Sequence, residues 1–192
     1  MLKNYVVPYL KGGQEYVIVS HNVHIFGRGE APVAQMLDDL MDGQNPTLAP
    51  YAKEGEMELR ITAKAPTDAE AQALLKPTVE QVKALFGSKV YGVDVSSLEE
   101  VVEGLLREKG MTIGVAESCT GGLMAKRLTD VAGASQVFLG GIVSYTNQVK
   151  AGMLHVPQHL LDQFGAVSPE VALAMAEGAR KALGGDIAPA TT

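Results

Sequence analysis

The chain of 192 residues contains one cysteine, no tryptophan and no long run of apolar residues. One cysteine excludes an intrachain disulfide, and no CxxC pair or cluster of His and Cys indicates a zinc site. A free thiol suits a reducing compartment, and no apolar run approaches the roughly 20 residues that a membrane span needs. We therefore expect a soluble cytoplasmic protein without a metal site or a membrane segment.

Aromatic residues are also scarce, at 5% of the chain, whereas 46% of the residues are hydrophobic. This composition favours packed α/β layers over an aromatic-rich β-sandwich.

The chain also has no excess of positive charge. The net charge is −6, with 9 basic and 12 acidic side chains in residues 1–94 and 7 and 10 in residues 95–192. Neither half has the basic character of a general nucleic-acid binder.

Hydrophobic periodicity predicts that residues 14–94 form a small α+β domain. We expect, in order, a strand over 16–26, a helix over 33–41, a strand with one wet face over 57–63, a helix over 67–86 and a strand over 90–93. Thr67 and Glu70 have the spacing of a capping box at the start of the second helix. Pro77 predicts a kink or a restart within that helix.

Residues 95–192 alternate between helix and strand patterns, which predicts a second, layered α/β domain. Ser97 and Gly110 are expected to cap the two ends of its first helix, and Ser168 the start of its last helix. The elements between these helices are expected as a strand, turn and helix over 112–128, a strand over 137–145 and a short helix over 148–153.

The strand, turn and helix over 112–128 carry the strongest candidate for chemistry. A short apolar strand leads into Ser118, and the glycines Gly121 and Gly122 follow just before helical periodicity begins. Backbone N–H groups at such a turn have no helical partner and can bind a phosphate or a developing oxyanion. Ser118 is therefore a candidate nucleophile.

A serine hydroxyl is a weak nucleophile at neutral pH, so Ser118 needs a base. The four histidines have no obvious aspartate nearby in sequence to orient them: His21, His24, His155 and His159. Lys150 is the better partner because it follows an apolar strand, where burial disfavours the ammonium form. Tyr145 lies at the end of that strand, and Asn147 precedes Lys150 by three residues on one helical face.

Several roles stay open when the residues are considered by themselves. Cys119 is the stronger nucleophile as a thiolate, but a free cysteine is commonly a small buried residue. Glu117 suits a general acid, a substrate acceptor or only a partner of the helix dipole, and Thr120 suits a cap or a phosphate contact. A lysine such as Lys150 is most often a solvated surface residue.

Longer motifs make the sequence similar to the CinA family of competence/damage-inducible proteins. In the second half these motifs are AESCTGG at 116–122, TDVAGAS at 129–135, GIVSYTNQVK at 141–150 and GAVS at 165–168. The first half resembles the small KH-like middle domain of the family through FGRGE at 26–30, QNPT at 44–47, APYAK at 49–53 and LRITAK at 59–64. The resemblance implies a KH-like domain over 14–94 and a CinA C-terminal domain over 95–192.

In the family, this C-terminal domain is a nicotinamide-nucleotide amidohydrolase of pyridine-nucleotide salvage. It converts nicotinamide mononucleotide and water into nicotinate mononucleotide and ammonia. The resemblance implies that Ser118 is the catalytic hydroxyl, that Lys150 is its base and that Tyr145 lies nearby. It also implies that the nucleotide contacts Glu117, Thr120, Gly121, Gly122 and Asn147, with its phosphate and carboxamide around the turn over 120–122 and Asn147. No metal or cofactor is implied, and a homodimer is the expected assembly.

The resemblance covers only part of the family's architecture. Residues 1–13 look like a remnant of a preceding domain or a linker, so the pyrophosphatase activity associated with the family's N-terminal domain is not expected. Family members also continue into a second glycine-rich loop of the type Gly-Ile-Ala-Gly-Pro. We therefore expect a truncated C-terminal domain that is inactive or weakly active by itself.

Pro189 is expected to disfavour a central strand at the end of the chain, because proline cannot donate a hydrogen bond to the neighbouring strand.

Two competing hypotheses belong to other classes. The first is a noncatalytic module for interaction or oligomerisation, in which a KH-like fold could bind nucleic acid. Gly27 and Gly29 lack the GxxG spacing of KH domains, and the first half is acidic, so nucleic-acid binding is not favoured. The second is a serine or cysteine hydrolase of another specificity, for which Cys119 is the residue to test.

Overall fold

The computed structural model describes residues 15–27, 29–53 and 55–192. The chain divides into two compact units, with the boundary between Ser96 and Ser97. The expected remnant over 1–13 and Arg28 of the FGRGE motif lie outside the described residues. Each unit has its own sheet and its own hydrophobic core.

The first unit contains a four-stranded antiparallel sheet formed by β1 (Val17–Phe26), β2 (Thr47–Lys53), β3 (Glu56–Ala65) and β4 (Val90–Val93). The strand order is β2-β3-β1-β4. In β3 the side chains of Met57, Leu59 and Ile61 are buried, whereas those between them are more exposed. This alternation confirms the predicted strand with one wet face, because successive side chains point to opposite faces of a sheet.

Two helices, α1 (Glu30–Met41) and α2 (Asp68–Phe86), pack against the buried face of this sheet. Thr67 and Glu70 form the predicted capping box at the start of α2. The helix continues through Pro77, so a restart at this residue is wrong. The core combines buried side chains of the sheet and of both helices: Val23, Ile25, Val33, Leu37, Leu59, Ile61, Leu75, Val79 and Val82.

The second unit alternates helices and strands, as the sequence predicts. The elements are α3 (Leu98–Lys109), β5 (Ile113–Glu117), α4 (Leu123–Thr129), β6 (Phe138–Val143), α5 (Asn147–Leu154), α6 (Gln158–Phe164), α7 (Pro169–Leu183) and β7 (Ala190–Thr191). The side chains of Ser97 and Ser168 cap α3 and α7, and Gly110 ends α3 with a φ of 63°. These three predictions are confirmed. None of the helices in the described ranges is long and apolar enough to cross a membrane.

The strand β5 is central in a parallel sheet with the order β6-β5-β7. Parallel strands end at the same edge of a sheet, so Glu117 of β5 lies beside Val143 of β6 and Thr191 of β7. Pro189 precedes β7, and its carbonyl accepts a hydrogen bond from the N–H of Ala116 at 3.1 Å. The expected difficulty at Pro189 does not arise, because in the described residues β7 pairs with β5 on one side only.

Candidate active site

Ser118 directly follows β5 at the carboxyl edge of the parallel sheet. Its N–H donates a hydrogen bond to the carbonyl of Thr191 at 2.9 Å, and its own carbonyl accepts one from the N–H of Gly121 at 3.1 Å. Gly121 and Gly122 have φ angles of 60° and 103°, in the left-handed region that favours glycine. The two glycines therefore allow the tight turn between β5 and α4 that places Ser118.

Lys150 lies on α5 and is only 1% exposed. Its Nζ is 2.8 Å from Ser118 Oγ and 2.7 Å from the carbonyl oxygen of Ser144. Ser144 is fully buried, and its N–H donates to the carbonyl of Glu117 at 2.7 Å. The carboxyl ends of the neighbouring strands β5 and β6 thus hold the serine and the lysine together.

The ionisation of Lys150 is shifted by its surroundings. Burial lowers the pKa of the Lys150 ammonium below the ordinary lysine value, and the neighbouring Cys119 raises it to a smaller extent. Burial has this direction because it removes water from the charged form of the amine. A neutral amine can donate one N–H to the Ser144 carbonyl and accept the Ser118 hydroxyl proton on its lone pair. This arrangement is chemically that of a serine with an adjacent lysine base.

Glu117 is fully buried, and its carboxylate binds the beginning of α4. The oxygens accept hydrogen bonds from the N–H groups of Gly122, Met124 and Ala125 at 3.1, 2.9 and 2.7 Å. Burial raises the pKa of the Glu117 carboxyl, but these bonds and the Thr120 side chain together hold it below the ordinary value. The geometry therefore favours a role for Glu117 as a partner of the helix dipole over the roles of general acid and of acceptor for the substrate.

The hydrogen bonds of Glu117 also change the expected role of the turn. Because Gly122 already donates to Glu117, its N–H is not available to the nucleotide phosphate that the resemblance placed there. In the described part of the chain, the N–H groups of Cys119 and Thr120 have no hydrogen-bond partner. These two groups, adjacent to Ser118, are the donors that the turn offers to a ligand.

Two predicted site residues are exposed and form no hydrogen bond with the pair in the described ranges. Tyr145 is 76% exposed, and Asn147 is exposed at the first position of α5. Neither side chain forms a hydrogen bond with Ser118 or Lys150 within the residues that the structure describes. A role for either side chain would require a contact with a bound ligand, so both roles stay predictions.

Two residues that complete the local geometry were missed by the sequence reasoning. Ser144 supplies the carbonyl that binds Lys150, and Thr191 binds both the N–H of Ser118 and the hydroxyl of Thr120. Ser144 could have been found, because it lies in the GIVSYTNQVK motif at the predicted end of a strand. Thr191 gives no sequence signal, because its contacts depend on the pairing of β5 with β7.

The histidines do not contribute to the pair in the described residues. His155 ends α5 with a φ of 53°, and His24 contacts Tyr91 in the first unit. His21 does have an aspartate partner, Asp94, at 2.5 Å, which the separation of 73 residues hides in the sequence. No group of three or more His, Cys, Asp or Glu side chains in the described ranges could hold a metal ion.

The two units make this chain a mixed α/β protein with a buried serine–lysine pair in its second unit. Two family profiles match it: CinA C-terminal domain over residues 95–192, and Damage-inducible protein CinA KH domain over residues 20–92. The chain belongs to the CinA family, with a KH-like domain followed by a CinA C-terminal domain.

Curated relatives match the chain over nearly its whole length. A CinA-like protein from Dictyoglomus turgidum is 46% identical across 100% of the chain and 47% of the relative. A CinA-like protein from Desulfovibrio desulfuricans is 48% identical across 97% of the chain and 44% of the relative. The chain therefore spans about half the length of the curated relatives that it matches.

Solved structures of the same superfamily match about half of the chain. A competence-damaged protein (CinA) superfamily protein from Escherichia coli is 34% identical, with a TM-score of 0.49, and the match covers 50% of this chain and 55% of that one. A competence/damage inducible protein from Agrobacterium tumefaciens is 42% identical, with a TM-score of 0.46 over 48% of this chain and 56% of that one.

Proposed function

We propose that the second unit is the amidohydrolase part of a cytoplasmic enzyme that converts nicotinamide mononucleotide and water into nicotinate mononucleotide and ammonia. The observation that carries this proposal is the distance of 2.8 Å between the buried Lys150 Nζ and Ser118 Oγ. The choice of substrate rests on the resemblance to the CinA family, whereas the reaction type rests on the pair itself. Membership of the family and the geometry support the same reaction.

The pair can carry out amide hydrolysis in two steps. Lys150 accepts the Ser118 hydroxyl proton while Oγ forms a bond to the carboxamide carbon. The C–N bond then breaks, and Lys150 returns the proton to the leaving NH₂ group, which departs as ammonia and leaves an ester on Ser118. Lys150 next deprotonates a water molecule that attacks the ester, and Ser118 regains its proton as the acid leaves.

The turn after β5 can stabilise the charge that develops in both steps. A tetrahedral intermediate carries an oxyanion, and preorganised N–H donors lower its energy more than that of the neutral carbonyl. Among the residues that the structure describes, the N–H groups of Cys119 and Thr120 have no other partner and are available for this purpose. Donation from the residue that follows the nucleophile is a recurrent arrangement at strand-to-helix turns.

Ammonia release from nicotinamide mononucleotide tests the proposed reaction. We expect Ser118→Ala to abolish release, because it removes the nucleophile. Cys119→Ala should retain most of the activity, and Ser135→Ala, which changes an exposed serine of the same unit, should match the wild type. Each change is measured in the 192-residue chain and at the aligned position of the relative from Dictyoglomus turgidum.

The outcomes separate the three functional hypotheses. Activity in either protein that depends on Ser118 and not on Cys119 supports the proposal. Activity that depends on Cys119 and survives Ser118→Ala overturns it in favour of a cysteine hydrolase. No ammonia release by either folded protein also overturns it, and an interaction module is then the better account.

A further inference from the structure

The side chains of two threonines meet at the turn after β5. Thr120 Oγ1 is 2.7 Å from Thr191 Oγ1, and both residues are partly buried. Thr120 belongs to the turn, whereas Thr191 is the last residue of β7. This hydrogen bond therefore connects the turn with the end of β7.

The same residues fix the backbone around the candidate nucleophile. The Thr191 carbonyl accepts the N–H of Ser118 at 2.9 Å, while the Thr191 hydroxyl binds Thr120, two residues further along the turn. Between these anchor points lie the N–H groups of Cys119 and Thr120, which have no partner in the described part of the chain. A turn without such anchors could rotate these peptide groups away from the oxyanion.

We propose that Thr120 and Thr191 are positioning residues that hold the N–H groups of Cys119 and Thr120 in place to receive the oxyanion. Neither hydroxyl contacts the reacting atoms in this account. The inference rests on the proposed function for its substrate, but the geometry that it explains applies to any acyl or phosphonyl group on Ser118. It also gives Thr120 a role different from the phosphate contact that the resemblance implies.

Labelling of Ser118 by a fluorophosphonate tests this proposal without the nucleotide substrate. The Ser118 hydroxyl proton passes to Lys150 as Oγ forms a bond to phosphorus and the P–F bond breaks, so that fluoride leaves. The phosphoryl oxygen occupies the place of the oxyanion. Thr120→Val keeps the shape of the side chain and removes the hydroxyl. We expect its labelling rate to fall at least about 10-fold, because removing an oxyanion donor outright costs roughly 100- to 1,000-fold.

Matched variants distinguish positioning from a loss of structure. Thr120→Ser keeps the hydroxyl and should restore labelling toward the wild-type rate. Thr129→Val removes a hydroxyl from the end of α4, where Thr129 Oγ1 donates to the Lys126 carbonyl at 2.8 Å, and should not slow labelling. Thr191→Val should resemble Thr120→Val, and the double variant should lose no more than the slower single variant, because both act on one network.

Steady-state kinetics with nicotinamide mononucleotide provide the second measurement. A positioning role predicts a lower kcat with an unchanged KM for Thr120→Val. A higher KM with unchanged kcat and unchanged labelling would overturn the proposal and restore Thr120 as a substrate contact. Labelling of the wild type without ammonia release would contradict the proposed substrate only. Wild-type labelling that equals the Ser118→Ala background would overturn the positioning role as well, because Ser118 would not be activated.

Discussion

Replacing Lys150 by methionine is expected to lower amide hydrolysis at least about 1,000-fold, because a positioned general base contributes roughly 100- to 10,000-fold and also activates the nucleophile here. Methionine fills a similar volume and cannot accept the Ser118 proton. Lys126→Met is the matched control, since Lys126 is exposed and its ion pair with Asp130 lies on the surface of α4. Rates of ammonia release by the two variants check this prediction.

The same replacement is expected to stabilise the protein by about 1 kcal/mol at neutral pH, because exchanging buried charge for apolar atoms of similar volume is often neutral or stabilising. The lowered pKa of Lys150 shows that burial disfavours its charged form in the folded state. The unfolded chain therefore binds more protons than the folded chain between the lowered pKa and the ordinary lysine value of about 10.4. The free energy of unfolding of the wild type therefore rises with pH across this window. The difference in stability between Lys150→Met and the wild type should become smaller over the same range.

Chemical denaturation of both proteins at several pH values measures this difference in the free energy of unfolding. An activity loss with equal or higher stability identifies Lys150 as a residue kept for function. Retained activity in Lys150→Met would contradict the assignment of the base. A strong loss of stability at all pH values would contradict the account of burial, because the lysine would then be a structural residue.

Replacing Gly178 by alanine is expected to destabilise the second unit by about 2 to 3 kcal/mol, in the range of overpacked cores. Gly178 is a buried residue of α7, and a Cβ there would lie 2.0 Å from the carbonyl oxygen of Leu154 at the end of α5. Because that neighbour is backbone, the two helices must move apart. The movement would disturb α5, which carries Lys150, so hydrolysis should fall as well.

Gly104→Ala is the control for the helical preference of alanine. Gly104 lies inside α3, and a Cβ there would meet nothing within 4 Å. Alanine is preferred over glycine within helices by about 0.5 to 1 kcal/mol, so Gly104→Ala should be slightly stabilising. Urea unfolding of both variants tests the difference. Equal changes in the free energy of unfolding for Gly178→Ala and Gly104→Ala would contradict the close packing of α5 and α7.

Local signals in the sequence predict much of this fold correctly. The side chains of Thr67, Ser97 and Ser168 cap helices, and Gly110 ends one, because these residue types satisfy helix ends with their own atoms or adopt a positive φ. At Pro77 the predicted restart is wrong, since α2 continues through this residue, while the alternative of a kink stays a prediction. Such a helix is stabilised by its buried face, which a local rule about proline does not include.

The candidate site could be predicted only in part, because its geometry depends on strand pairing. The motifs identify Ser118 and Lys150, and the ends of β5 and β6 bring them to 2.8 Å. The contacts of Thr191 require the register of β7 against β5, which no local pattern contains. For Glu117 the residue type allowed three roles, and hydrogen bonds from Gly122 and from two N–H groups of α4 favour the role of a helix-dipole partner. The nucleotide contacts and the dimer stay predictions.

The rate of Ser118 phosphonylation by a fluorophosphonate, measured as a function of pH, tests the central claim most directly. If Lys150 is the base, the wild-type rate should rise with pH and level off at an apparent pKa below the ordinary lysine value of about 10.4. Lys150→Met should be slow throughout and lack this transition. A Lys150→Met profile that matches the wild type would contradict the account, because Ser118 would then react without the lysine.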